Sequence, residues 1–335
     1  MKKITKFFIV VDILIAICFF VVYGPFESFR NTIISTSLNT KTHQYIAYTF
    51  YSKSTIQGVS KLDSYTPWDE NTKLEDIVID TAPKSSYENE YDKEILTRDE
   101  GNEDYKLIET EVDGFKAYLV AIYNPAKVGV ATSKAFNKNG TGAERMYKMC
   151  DRLGGIVCIN GGGFKDPDGW GSDVPMGYII KNGQVVWSDS SKQNDIIGIS
   201  NDNKLMLVHA TGEEAIEMGM RDGLQFGPFL IVNGELIKFN NAAGGYNKAA
   251  RTAIAQRKDG VILFLVTEGV HANGPRLLAV AEFLQKYGAY NAANLDGGSS
   301  AQLVINGKLI NRPLNVAGKE IKHGRSVVSG FILMP

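Results

Sequence analysis

Three short segments carry more glycine and small polar side chains than a strand or helix interior tolerates, and each holds a group suited to chemistry around an anion. In Ile159-Asn160-Gly161-Gly162-Gly163-Phe164, consecutive glycines permit close backbone approach and can turn peptide N–H groups toward a phosphate; a ligand-free turn is the competing reading. In Ala250-Arg251-Thr252-Ala253 an arginine enters an apolar strand. A guanidinium there either grips a phosphodiester through two parallel hydrogen bonds or pairs with a carboxylate. Asn294-Leu295-Asp296-Gly297-Gly298-Ser299-Ser300 packs an acid, two glycines and two hydroxyls into one turn. Asp296 suits general acid–base work or orientation of substrate hydroxyls, and Ser299 and Ser300 suit donation to phosphate oxygens. A capped Asp-Gly-Gly turn is the plainer alternative. Asp166, Asp168 and Asp173 could hold a cation through oxygen ligands, yet they lack the spacing of a calcium loop and read as solvated turns, and no zinc spacing occurs. No metal is assigned, and no cofactor is called for.

These segments need a scaffold. Strand-type runs cover 105–122, 155–159, 176–180, 184–187, 205–209, 229–232, 253–256 and 261–267. Asp113-Gly114, Asn182-Gly183, Asn233-Gly234, Asp259-Gly260 and Asn306-Gly307 fall between strand candidates as hairpin turns. Helical spacing marks 142–152 and 276–287. The balance predicts an α+β fold over residues 101–335, with a mixed, largely antiparallel β-sheet core and a few flanking helices.

The N-terminal third reads differently. Lys2, Lys3 and Lys6 precede the run Phe7 to Tyr23, apolar except for Asp12 and long enough to begin spanning hydrocarbon. With no small-x-small cleavage site after it, residues 1–25 are expected to form a cytoplasmic tip and one uncleaved transmembrane anchor, the rest of the chain lying outside the cell membrane. Residues 26–100 are expected to form a stalk and linker, helical over 27–50 and without periodicity from 57 to 103. A formal net charge of −1 without a long basic block excludes nucleic acid as a partner, and no protein partner is assigned. Three cysteines exclude a disulfide framework; Cys150 and Cys158 could pair in an oxidising compartment, but eight residues apart without Cys or His neighbours at ligand spacing they read as buried small hydrophobes.

The three segments, taken in order with Phe226-Gly227-Pro228-Phe229-Leu230-Ile231-Val232-Asn233-Gly234, resemble the phosphodiester glycosidase family over about residues 101–335. The anchor and the stretch 39–52 are similar to Gram-positive bacterial members associated with surface polysaccharide. The resemblance implies hydrolysis of a glycosyl-1-phosphodiester bond in a cell-surface glycan or exopolysaccharide. It implies Asp296 and Glu268 as catalytic groups. The substrate and its phosphate would then meet Asn160, Gly161, Gly162, Gly163, Arg251, Thr252, His271, Asn294, Gly297, Gly298, Ser299 and Ser300.

The chain departs from the family pattern at Ala250 and Ala255, which stand where Pro and Gly are usual, and in Glu268-Gly269-Val270, where Asp-Gly-Arg is common. Val270 removes a cation there, and Ala272 stands for the usual serine. Two other functions use the same residues: transfer of the glycosyl or glycosyl-phosphate unit to a polymer hydroxyl, and polysaccharide binding without turnover.

Overall fold

The computed structural model describes residues 3–38, 43–134, 143–166, 174–241, 244–270 and 272–335. Among the described residues, three large antiparallel sheets and one two-stranded pair form the body. The largest runs in the spatial order Tyr105–Val112, Phe115–Ile122, Ile262–Thr267, Thr252–Arg257, Ala289–Leu295, Phe229–Val232, Glu235–Leu236. Its central strands are apolar on both faces because both faces are covered. Tyr118, Val120, Ile122, Ile254, Phe264 and Val266 point into a core shared with the other two sheets. Their neighbours Ala117, Leu119, Ala121, Ala253, Ala255, Leu263 and Leu265 pack under the helix Leu277–Lys286 through Val280, Ala281 and Leu284. Full burial of each large aliphatic side chain contributes about 1.5–3 kcal/mol, so these two layers dominate the stability of the body.

Four of the five predicted turns form as two-residue hairpins, while Asp259-Gly260 lies in the longer 258–261 connection between Thr252–Arg257 and Ile262–Thr267. Asp113, Asn182, Asn233 and Asn306 adopt φ between 49° and 52°, and each is followed by a glycine with positive φ. That pair of left-handed residues is what a two-residue hairpin turn requires. The core is antiparallel as expected, and more uniformly than a mixed sheet, since every described strand pair is antiparallel. The helix expected over 142–152 begins only at Met146 and runs to Leu153, because Glu144–Arg145 pairs as a short strand with Ser326–Val327.

Register fixes the site. Thr252 lies opposite both Val266 and Leu295, so Arg251, Glu268 and Asp296 all leave the large sheet at one end. The strand Val157–Asn160 of another sheet delivers the glycine run to the same place.

Two expectations are corrected. Cys150 and Cys158 are joined by a disulfide, with Cα atoms 6.0 Å apart. One lies on the helix Met146–Leu153 and the other on the strand packed beneath it, a juxtaposition that burial tendency alone does not reveal. Alkylation of the denatured chain without reductant is therefore expected to modify Cys18 alone; modification of Cys150 or Cys158 would contradict the bridge. Residues 57–103, read as a linker, instead strap the body. The Trp68 indole donates to the Phe229 carbonyl at 3.1 Å, Val78 N–H donates to Lys258 at 2.9 Å, and buried Asp92 pairs with Arg257 at 2.9 Å.

Four helices precede or begin this strap: α1 (Lys3–Tyr23), α2 (Glu27–Leu38), α3 (Gln44–Phe50) and α4 (Lys53–Asp63). Within α1, Ile4–Tyr23 is long and apolar enough to cross a membrane, with a mean hydropathy of 2.6 and no part of it buried in the fold. Glu27–Leu38 and Gln44–Phe50 are helical as expected, yet they fold back instead of standing clear as a stalk. Ile34, Ala47, Ile56 and Val59 form a small core with Tyr246 of the body.

Candidate functional site

The glycine run, the arginine strand and the Asp296 turn, far apart in sequence, share one network. Asn160 is its node. Its Nδ2 donates to the Asp296 carbonyl at 2.5 Å, while its Oδ1 accepts from the Thr252 hydroxyl at 2.8 Å and from Gln302 N–H at 3.0 Å. With Asn160 and Thr252 both buried, their side chains hold the three segments in register and are not spare groups for a substrate. Asn294 is similarly committed: its Nδ2 donates to the Gly227 carbonyl at 2.9 Å, next to the cis Gly227–Pro228 peptide.

The glycines answer first to packing. Asp296 N–H donates to the Gly161 carbonyl at 2.9 Å, and a Cβ on Gly161 would lie 2.9 Å from the Gly330 Cα. The N–H groups of Gly161 and Gly162 donate to the carbonyl and the hydroxyl of Ser329, at 2.9 and 3.1 Å. They are therefore not turned outward as the anion nest that the sequence suggests. Gly297 and Gly298 lie against the backbone that enters the arginine strand, Gly298 N–H donating to the Ala250 carbonyl at 2.8 Å. A Cβ on Gly297 would sit 2.5 Å from that same carbonyl oxygen. Gly297→Ala is expected to destabilise the fold by about 1–3 kcal/mol through overpacking and to displace the acid beside it. Thermal melts and kinetics of that variant check this, and a variant with wild-type melt and rate would contradict the tight approach.

Arg251 is buried. Its Nε and Nη2 donate to the carbonyls of Pro275 at 3.3 Å and Asn247 at 2.6 Å, and among the described residues no carboxylate pairs with it. Burial pushes its guanidinium down to about 10, which leaves it charged at neutral pH. A buried cation held only by carbonyl dipoles is costly, and an incoming anion relieves that cost.

Asp296 is partly buried at the centre of its turn, and its Oδ1 accepts from Gly297 N–H at 3.0 Å. Burial pushes its carboxyl up to about 6; the Ser300 hydroxyl, the Arg325 cation and the Gly297 N–H oppose that rise, and Asp166 adds to it. A carboxyl that titrates close to neutrality can hold or release a proton under working conditions. Ser300 is buried against it, and Ser299 is the more open of the two hydroxyls. Glu268 stands one residue past the strand Ile262–Thr267. Its Oε1 accepts from Arg312 N–H at 3.0 Å and from the Tyr118 hydroxyl at 3.4 Å. These bonds tie Glu268 to the wall, and the acid poised by its surroundings is Asp296. Val270 N–H pairs with the Asn273 carbonyl at 2.8 Å, so backbone bonding closes the loop where the family cation is missing. His271, Asp168 and Asp173 lie outside the described residues.

Sequence reading missed Arg325 and gave Asp166 only a solvated turn. Their side chains pair at 2.5 Å, and the guanidinium lies 5.0 Å from the Phe164 ring centroid. The pair brings a cation and an acid to the edge of Asp296. Asp166 had one usable signal, its place two residues after Phe164 in the glycine loop; Arg325 sits in no motif. Among the described residues no group of three His, Cys, Asp or Glu side chains could hold a metal ion.

Comparison with known proteins places the chain in a family. The family model for phosphodiester glycosidases matches residues 154–334, more than half of the chain. The N-acetylglucosamine-1-phosphodiester alpha-N-acetylglucosaminidase of Bos taurus is 33% identical over 180 residues, covering 48% of this chain and 33% of the relative. The Homo sapiens enzyme of that name is 32% identical over 177 residues, covering 47% and 33%. An SPbeta prophage-derived uncharacterized protein of Bacillus subtilis is 27% identical over 186 residues, covering 51% and 27%. The chain thus spans about a third of the length of the curated relatives it matches. Among solved structures, the zebrafish N-acetylglucosamine-1-phosphodiester alpha-N-acetylglucosaminidase catalytic domain, auto-inhibited by its pro-peptide, superposes with a TM-score of 0.57 at 21% identity. That match covers 69% of this chain and 82% of that one, and it shows a shared fold. On the family match across residues 154–334, the chain belongs to the phosphodiester glycosidase family.

Proposed function

We propose that the chain hydrolyses a glycosyl-1-phosphodiester in a cell-surface glycan or exopolysaccharide, at the outer face of the membrane that holds α1. The observation that carries this reading is the buried Arg251 cation, without a carboxylate partner among the described residues, beside the turn that holds Asp296. The guanidinium neutralises the phosphate as it departs, which lowers the barrier to breaking the anomeric C–O bond. A phosphomonoester is already a stable anion and needs little help from an acid, so proton transfer matters more at the attacking water. Asp296, ionised above about pH 6, takes the proton of that water as general base. Ser299 donates to the phosphate, Ser300 and Arg325 steady the carboxylate, and Asn160, Thr252 and Asn294 keep the strands and turns aligned.

The site outside the cytoplasm is supported by two independent features. A helix fit to span a membrane precedes the body, and the Cys150–Cys158 disulfide persists in oxidising compartments. The N-terminal lysines favour a cytoplasmic start, which sends the body outward.

The test uses the full chain in detergent with a panel of glycosyl-1-phosphodiesters, with and without chelator and with and without a polysaccharide acceptor. Free sugar plus phosphomonoester, unchanged by acceptor, is expected. Product appearing only on the acceptor would replace hydrolysis by transfer, and tight binding without any product would replace it by recognition alone.

A further inference from the structure

At the membrane end of the molecule a groove of about 870 Å³ with mostly apolar walls opens between α2 and α3. Its first wall is Pro25 and Phe26, directly after α1 ends at Tyr23; Phe29, Ile33 and Ile46 continue it. Its far wall is Lys248 and Ala272, from the two loops beside Arg251. Ala272 N–H donates to the Lys248 carbonyl at 3.0 Å, and the preceding residue, Asn247, accepts from Arg251 Nη2 at 2.6 Å. The groove therefore runs from the end of α1 to the loops that flank Arg251, with Lys248 of one of them in its far wall.

The surface around it has the composition of a membrane interface. Tyr23, Phe26, Phe29, Tyr45, Tyr48 and Phe50 are each 46% exposed or more, while beyond Phe50 no aromatic residue stands among the large exposed hydrophobics of the described residues. Amphipathic rings of this kind concentrate at headgroup level. The helices contact the body through Tyr246, which packs against the core of Ile34, Ala47, Ile56 and Val59 and donates its N–H to Asp63 Oδ1 at 2.6 Å.

We propose that this groove receives the hydrocarbon chain of a lipid-linked glycosyl phosphodiester, so that the substrate class is a sugar-1-phosphoryl lipid taken from the outer leaflet. The inference of substrate class rests on the hydrolytic reading above. In the step, the bond from C1 to the phosphate oxygen breaks and that oxygen keeps the electron pair. Water gives its oxygen to C1 and one proton to Asp296, and the lipid leaves as a phosphomonoester. Lys248 and Arg251 hold the phosphate while the chain stays in the groove.

Groove occupancy is read without turnover. Full-length protein in phosphatidylcholine nanodiscs is photolabelled with dodecyl phosphate carrying a diazirine at the chain end, beside a neutral dodecanol probe. The phosphate probe is expected to label peptides from residues 25–46, the neutral probe chiefly α1. Thr36→Trp, which fills the groove, should remove the first label and leave the second, with an unchanged melt as the control for folding. Equal labelling of α1 by both probes and none at 25–46 would overturn the proposal. Substrate class is read from kcat/KM for matched dodecyl and ethyl glycosyl-1-phosphates, where the long chain is expected to gain at least about tenfold from burying its methylenes. Equal rates for the two chains would also overturn it. Labelling at 25–46 with no turnover of either substrate would uphold a lipid-phosphate groove and defeat hydrolysis instead.

Discussion

Asp296→Asn is expected to lower kcat by about 10²–10⁴-fold, the usual contribution of a positioned acid or base, while the body stays folded. Asn keeps the shape of the turn, and its oxygen can still accept from Gly297 N–H, so a purely structural aspartate would lose little rate. Stability adds a sign that distinguishes the two cases. The folded carboxyl titrates near 6, above its unfolded value, so the native state binds the extra proton between those values. Stability of the parent should fall as pH rises through that window, and the amide variant escapes the loss. At pH 8 the variant is expected to melt at or above the parent, and the gap should close toward pH 4. The parent kcat/KM is expected to climb through about pH 6 to a plateau, and Arg325→Gln should move that rise to higher pH by removing a cation that favours the ionised form. A variant that melts normally and keeps more than about a tenth of the parent rate would move the base elsewhere, with Glu268 next in line.

Arg251→Lys is expected to lower kcat/KM by roughly 10- to 100-fold, matching about 1.5–3 kcal/mol for a lost hydrogen bond to a charged group. The substitution keeps a cation but loses the planar fork that reaches the Pro275 and Asn247 carbonyls and the phosphate together. Burial also lowers the pKa of an amine, so the deficit should deepen as pH rises. Undiminished kcat/KM across pH 6–9 would refute phosphate binding at this position.

Much of this arrangement is legible in the sequence because it rests on local rules. The Asn-Gly and Asp-Gly turns announce hairpins, and the unbroken apolar runs around Leu263 and Ile254 announce strands covered on both faces. The convergence of the three segments was inferred from a resemblance, and the register of Thr252 between Val266 and Leu295 gives it a physical cause. What stayed hidden depends on tertiary pairing. Apart from the end of α4 and a two-turn helix at Glu90–Leu96, too short to stand out as periodicity, the strap over 57–103 is fixed by scattered backbone bonds and by single side chains such as Trp68 and Asp92. Arg325 acquires meaning only beside Asp166 and Phe164, and the disulfide only once a helix lies on its strand. The glycine run fits either a ligand nest or a ligand-free turn in sequence, and Ser329 takes two of its N–H groups. Glycines chosen for close packing and glycines chosen for an anion look alike in sequence.

The central claim is that the bond broken joins the sugar carbon to the phosphate oxygen, with Asp296 activating water at that carbon. Hydrolysis of a glycosyl-1-phosphodiester by the full chain in ¹⁸O-labelled water, with both products weighed by mass spectrometry, tests it most directly. The label is expected in the released sugar, with the phosphomonoester unlabelled. Label in the phosphate would mean attack at phosphorus and would rule out Asp296 as the base acting at the sugar carbon.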